Sequence, residues 1–405
     1  MLPRPSAFAA YLAGLGSWFV PLGIQQVLFS WLAAIVLHVD AFQVGIAQMA
    51  LMAPGMLFLP LGGLVADRGN PRRLLMRYHF FYALPPLVLA GVLASGGLSY
   101  PLLIVYGLAA GSIGAFAVPT RDGLLPFVAK GNLPRAVALA TALQFFGQLI
   151  GIALASRADQ IGAVPLLGVQ ASLVLLGALA VWRLPDPPAH PPARHPSFWR
   201  SIGDGMAEAA RSEQMWPVLL INFGAGVFYV GPFAAVLPLV VRDVYHGGAA
   251  EIAYVNLAFW TGTIVAAFAF AGIGRRVALR GRMVVLAVSA GALILMGMAL
   301  HPPFWVFNVL CLVWGLGAGI TLTQGRTILQ IVAPATHRAR VMSLFQLGLG
   351  GGGPIGAFVA GTIAAVLGLK LAMILPALGM AALIAGVMAF SRIWSMRTVE
   401  APTPA

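Results

Sequence analysis

Charge is what this 405-residue sequence has least of: Asp, Glu, Lys and Arg make up 9% of it, and only 11 residues are acidic. A soluble fold of that length would need a charged surface, and the 60% hydrophobic content leaves none to build it from. Cysteine is almost absent. The single Cys311 lies in an apolar run, which excludes an intramolecular disulfide and suggests no redox role. Histidine is sparse and scattered: His190 and His195 fall in a Pro-rich stretch, and no His/Glu spacing suggests zinc. With no nucleophile, metal set or acid–base pair, an enzyme is not expected, and neither is a cofactor.

What is present is oil in long pieces. Mean hydropathy is +0.92, and apolar runs of about 20 residues, each long enough to cross a bilayer as a helix, recur along the chain. The net charge of +13 invites a nucleic-acid reading, but its placement argues otherwise. Of 24 Lys and Arg, only Arg157, Arg242 and Lys370 lie in loops of one parity. That asymmetry follows the positive-inside rule. It puts both termini in the cytoplasm and the protein in a plasma membrane, a bacterial inner membrane. The run from Ala7 is read as a retained span, since it is too long for a signal peptide and many more spans follow.

Twelve spans are expected, at 8–37, 42–66, 74–95, 99–119, 134–156, 163–182, 214–241, 249–273, 282–300, 303–326, 341–366 and 370–391. The one long connection is Pro-rich in its first half and has the polar, small-residue character of a surface helix from Ser201. It divides the chain into a bundle at 1–182, a cytoplasmic linker at 183–213 and a bundle at 214–405 with a short tail. An offset of 205 residues supports the division. Arg121 then meets Arg326, Arg135 meets Arg340, Gly147 meets Gly352 and Gly151 meets Gly356, as four of eight identities across 121–155. The fold class expected is all-α integral membrane, with twelve transmembrane helices in two pseudo-symmetric six-helix bundles.

The scarce charges gather in one place, "GGLVADRGNPRRLLM" at 62–76, between the second and third spans. Gly63, Ala66, Asp67 and Arg68 resemble the loop signature of the major facilitator superfamily, with Val65, Asn70 and Pro71 as departures and Arg72 at the final basic position. The segment "PTRDGLLPFVAKGNLPRAVAL" at 119–139 resembles the enterobactin-exporter-like branch, and a lysophospholipid-transporter-like relative stays open. The resemblance implies the major facilitator fold and a gating latch of Gly63, Asp67, Arg68, Arg72, Arg121 and Asp122. In it Asp67 meets the start of the eleventh span and Arg68 or Arg72 bridges to Asp122. For Arg73 and Arg77 a plain role as topology anchors is the alternative. The antiporter signature of the fifth span keeps only its first glycine, Gly151, which weakens an inference of proton antiport.

The resemblance also implies a central cavity lined by spans one, four, seven and ten. Its candidates are Gln25, Gln26, Gln148, Asn222, Tyr229, Asn256 and Gln324. Asn222 and Tyr229, seven residues apart, are expected on one helical face, and each residue alone suits a helix–helix hydrogen bond equally well. The function expected is secondary export of a small neutral or amphipathic molecule by a monomer in the bilayer, with coupling protons as a further partner. An importer or lysophospholipid flippase is the alternative, and a non-transporting sensor or scaffold the alternative of another class. His79 is expected to be structural. "QLGLGGGGPIGAF" at 346–358 is read as a hinge or a close-packing surface.

Overall fold

The computed structural model describes residues 6–129, 131–186, 198–273, 279–334 and 337–396. Among them there are fifteen α-helices and no strand. The helices are α1 (Ala7–Trp31), α2 (Ala41–Arg68), α3 (Pro71–Ala94), α4 (Tyr100–Val128), α5 (Leu133–Ala155), α6 (Ala158–Ile161), α7 (Ala163–Trp182), α8 (Phe198–Arg211), α9 (Met215–Ala225), α10 (Gly231–Asp243), α11 (Ala249–Ile273), α12 (Arg280–Met298), α13 (Phe304–Val332), α14 (Arg338–Leu367) and α15 (Leu369–Phe390). The π-turn Leu32–Val36 extends α1, and a second π-turn, Gly226–Val230, joins α9 to α10 as one span. Among the described residues, eleven of the twelve spans are long and apolar enough to cross a membrane. The twelfth, α3, is 24 residues long and carries Arg72, Arg73, Arg77 and His79 in its first turns.

Three boundaries differ from expectation. α2 runs through Asp67 and Arg68, so only Gly69 and Asn70 separate it from α3. Pro71 then sits at the first turn of α3, where its missing N–H costs nothing, and the Asn70 side chain accepts from Arg73 N at 3.2 Å as the cap. α4 does not stop at Pro119 but continues through Pro126 to Val128, which puts Arg121 and Asp122 inside a helix. In a span, proline interrupts one backbone bond without ending the helix, because no water competes for the freed groups. Finally, α8 starts at Phe198 and packs on α14, with Gly205 against Arg340.

The chain forms two compact units. Unit 1 comprises Met1–Asp40, Ala50–Arg194 and Val241–Leu257; unit 2 comprises Ala41–Met49, His195–Val240 and Ala258–Ala405. Two short segments thus group with the opposite half of the sequence. In unit 1, α1 packs on α5 and α7, and α3 on α4 and α7. One core gathers Tyr11, Leu15, Phe19, Leu124 and Val181. In unit 2, α14 packs on α9 and the following π-turn, and α12 on α13 and α15. Its core gathers Met215, Ile221, Ile328, Phe345 and Met380.

Backbone closeness is set by glycine. A Cβ on Gly151 would lie 2.0 Å from Val20 O, and one on Gly23 would lie 2.1 Å from Gln148 O. In unit 2, a Cβ on Gly352 would lie 2.6 Å from Phe223 O, and one on Gly356 2.1 Å from Val227 O. Gly147/Gly151 and Gly352/Gly356 are the pairs matched by the 205-residue offset. The repeat therefore encodes a small-residue seam used once in each unit. The dense glycine run of α14 is a packing surface at four-residue spacing, while Gly350, off that face, meets nothing within 4 Å.

Candidate transport site and latches

The sequence-selected polar residues lie inside the helical packing. Gln25, Gln148, Asn222, Asn256 and Gln324 are all buried, and most are occupied by neighbours. Gln25 accepts from the Tyr82 hydroxyl. Gln148 Nε2 donates to Gln26 Oε1 at 2.9 Å, across the glycine seam of α1 and α5. In unit 2, Asn222 Nδ2 donates to Phe345 O at 2.6 Å, Tyr229 donates to Val288 O, and Arg280 donates to Gln324 Oε1 at 3.2 Å. Asn256 Nδ2 turns back to Ile252 O, and Asn308 Nδ2 to Phe304 O, both within their own helices. Neither of the two described cavities is lined by any of these side chains.

This corrects the picture of a set of free amides facing one space. Asn222 and Tyr229 also meet different helices, since Tyr229 lies within the π-turn Gly226–Val230, whose wider turn changes the register after Asn222. Asn222 meets α14, whereas Tyr229 meets α12 and stands edge-on to Trp314 at 5.6 Å. What the amides leave over is acceptors. The side-chain oxygens of Asn222, Asn256, Asn308 and Gln170 are buried without a hydrogen-bond partner among the described residues. A buried, unpaired amide oxygen costs about 1–3 kcal/mol. His79 is also buried, with one ring nitrogen 2.9 Å from Leu75 O and its ring edge-on to Trp18.

A clasp that sequence reading missed sits at the end of α1 remote from the N-terminus. Asp159, on α6, accepts from Trp31 Nε1 at 2.7 Å and from Ala249 N at 2.6 Å. It thereby caps the first turn of α11, where unpaired amides carry partial positive charge. Glu251 accepts from Gly248 N at 2.7 Å and satisfies a second of those donors. A Cβ at Gly248 would lie 2.3 Å from the Asp159 carboxylate, so a side chain there would displace the carboxylate from its donors. Beside it, Arg242 Nη1 donates at 2.9 Å to both Ala34 O and Val39 O, the carbonyls at and beyond the π-turn that ends α1. Asp243 holds the other edge of the guanidinium, at 2.9 Å from Nη2.

The α2–α3 turn carries a smaller clasp. Asp186 accepts from Asn70 Nδ2 at 3.0 Å and pairs with Arg72 Nη1 at 3.0 Å, while Arg72 Nη2 donates to Trp182 O. The turn is thus tied to the end of α7. Asp122 pairs instead with its neighbour Arg121 at 3.2 Å, and the Arg121 guanidinium lies over the Phe19 ring at 4.8 Å.

Compared with known families, residues 7–357 match the model of the Major Facilitator Superfamily. The chain belongs to this superfamily. Among curated relatives it is 25% identical over 394 residues to the "Multidrug efflux pump Tap" of Mycolicibacterium fortuitum, covering 94% of this chain and 93% of the relative. It is 24% identical over 373 residues to the "Enterobactin exporter EntS" of Escherichia coli O127:H6, covering 90% and 86%. Among solved structures, the nucleoside transporter NupG superposes with a TM-score of 0.77 at 14% identity, covering 95% of this chain and 99% of NupG. A bacterial homologue of the lysosomal transporter Spinster follows at 0.73 and 13%, covering 96% and 97%. At those identities the structures speak to the fold alone.

In this superfamily member the expected bridge from Arg72 to Asp122 is not formed, since Arg72 is engaged by Asp186 and Trp182. Asp67 and Arg68 close α2 on its exposed surface. Gly63 meets nothing within 4 Å, and the glycine of close approach is its neighbour Gly62, whose Cβ would lie 2.8 Å from Phe116 Cα. Asp186 was legible only as one of 11 acids in a chain starved of them, four residues past the end of α7. Asn70 and Arg72 hold the Asp186 carboxyl below the ordinary carboxylate range. A depressed pKa means that the contact is fully present above the unfolded value and is lost as pH falls through the folded one. Nitroxide mobility at a label on Gly69→Cys, in a Cys311→Ala background, should therefore rise on acidification. Asp186→Asn should show the raised mobility already at neutral pH.

Proposed function

We propose that this protein exports a small neutral or amphipathic solute by alternating access, with Asp67 and Arg68 acting in a latch at the α2–α3 turn and the Asp159/Arg242 clasp acting at the opposite ends of the spans. In this reading both termini face the cytoplasm, the membrane is a bacterial inner membrane, and the protein works as a monomer. The observation that carries the substrate class is the buried, unpartnered amide oxygens of Asn222, Asn256, Asn308 and Gln170, with no Asp, Glu or Lys in the middle of any described span. Such acceptors suit a solute that brings hydroxyl or N–H donors, whereas an unmasked ion would go without a counter-charge. Export is supported by the printed names of the two curated relatives.

A second reading, a non-transporting member of the same fold, is favoured by one observation: Gln25, Gln26 and Gln148 pair within unit 1 rather than standing free. One experiment separates the two. Purified protein is titrated with a panel of neutral, cationic and anionic solutes at low and high salt, with unfolding temperature as readout. For transport, a neutral donor-bearing solute stabilises the wild type without salt dependence, and Asn222→Ala weakens it by about tenfold, one lost hydrogen bond. Stabilisation by a dianion alone, strongly dependent on salt and indifferent to Asn222→Ala, would overturn the substrate class. If Gln25→Ala lowers stability and no solute of any class stabilises the protein, the non-transporting reading stands.

A further inference from the structure

α3 carries a basic residue beyond its first turn, inside the span. Arg77 stands six residues past Pro71, about 9 Å along the axis at 1.5 Å per residue. Topology needs basic residues in the loops; it does not need one at that depth. Arg77 is exposed and forms no ion pair among the described residues. It lines a cavity of about 320 Å³ whose other walls are Met76, Phe80, Phe81, Ala178, Leu179 and Trp182. Phe81 is shared with a larger cavity of about 470 Å³ between α3 and α4, lined by Leu84, Val88, Val105, Tyr106 and Phe116 among others. Arg77 is the only charged residue of either lining.

Arg77, Phe81, Leu84 and Val88 have the spacing of one helical face, and the smaller cavity, between α3 and α7 with Arg77 in its wall, meets the apolar cavity between α3 and α4 at Phe81. From Arg77 to Val88 this face is about 16 Å long at 1.5 Å per residue. That is close to half the roughly 30 Å hydrocarbon thickness of a bilayer, one leaflet. Trp182, exposed beside the mouth, is the kind of residue that settles at headgroup level. A guanidinium at this depth reaches toward the interface and needs an anion there, and a phosphate matches its planar fork.

We propose that Arg77 and the α3–α4 groove form a binding site for one anionic phospholipid, its phosphate held by Arg77 and one acyl chain laid past Phe81 into the larger cavity. The site is independent of the transported solute. Charge at the mouth selects the headgroup, and the length of the groove selects a single leaflet's chain.

The test is lipid retention on the full-length protein in an uncharged detergent, read by native mass spectrometry after titration with phosphatidylglycerol or phosphatidylcholine. The wild type should retain one phosphatidylglycerol, with phosphatidylcholine bound more weakly. Arg77→Gln should weaken phosphatidylglycerol by roughly tenfold, the scale of one charge-assisted bidentate contact. Arg77→Lys should fall between, and Arg73→Gln, four residues earlier, should match the wild type. Val105→Trp, which fills the groove and leaves Arg77 in place, should weaken both lipids. Equal retention by wild type and Arg77→Gln would overturn the proposal, as would undiminished retention by Val105→Trp. Inorganic phosphate that competes as well as the lipid would reduce the site to a bare anion contact and overturn the acyl-chain assignment. A monodisperse elution profile for each variant keeps misfolding apart from lost binding.

Discussion

Gly356→Leu should leave almost no folded protein. A Cβ there would lie 2.1 Å from Val227 O and within 2.8 Å of Val227 Cα, and both are backbone atoms that cannot rotate away. The whole of α14 would have to move off the π-turn Gly226–Val230, and with it the seam that Gly352 makes at Phe223. Overpacking a well-packed core costs about 1–3 kcal/mol even where side chains can adjust. Here none can, and a leucine adds three more carbons beyond the Cβ. Gly151→Leu, the repeat-related position against Val20 O in unit 1, should fail in the same way. Gly350→Leu is the control on the same helix, since its Cβ meets nothing within 4 Å, and it should fold with at most a small change in stability. The measurement is the yield of monodisperse protein after extraction, followed by thermal unfolding. Similar yields for Gly356→Leu and Gly350→Leu would show that the seam is not what holds α14 in place.

Asp159→Ala should lower stability by roughly 2–4 kcal/mol, because one carboxylate holds two donors that lose their partner together. They are Trp31 Nε1 and Ala249 N, at 2.7 and 2.6 Å, the second at the start of a 25-residue span. Asp159→Asn should recover only part of the loss, since an amide has one acceptor oxygen where the carboxylate uses two. A double-mutant cycle with Trp31→Phe isolates the indole contact and should return a coupling of about 1 kcal/mol or more. A coupling near zero would sink the claim. Arg242→Lys should also be costly. A guanidinium spans Ala34 O, Val39 O and Asp243 at once, and a lysine ammonium on its flexible stem holds a point and not a fork. Because Val241–Leu257 groups with unit 1 while the residues on either side of it belong to unit 2, the Asp159/Arg242 clasp joins segments remote in sequence.

The polar residues show where reading from sequence stops. Gln25, Gln148, Asn222 and Gln324 are uncharged polar residues within apolar spans, and they sit deep in the packing. Their partners depend on helix rotation, which a list of residues does not contain. Asn222 and Tyr229 share a face in an ideal helix, and the π-turn that contains Tyr229 turns it toward another neighbour. In the same way, the family resemblance pairs Arg68 or Arg72 with Asp122. Asp186, beyond the end of α7, takes Arg72, because α3 packs directly on α7.

Composition by itself determined that this is a multispan α-helical membrane protein. Apolar runs of bilayer length with so few charges have no other stable solution, since every backbone polar group in lipid must be satisfied within its own helix. The loop residues at 62–76 pointed to the superfamily that the family match shows, and the 205-residue repeat pointed to two related halves. The repeat even pairs Gly151 with Gly356, where only glycine admits backbone within about 2 Å of an absent Cβ. Only the tertiary structure decided which side chains meet: that Asp159 caps α11, that Arg242 closes the end of α1, that Gln26 pairs with Gln148 while Asn222 takes a backbone carbonyl, and that Arg77 opens onto a groove. These contacts join residues as much as 208 positions apart. They depend on the rotation and depth of whole helices, which packing sets and local sequence does not.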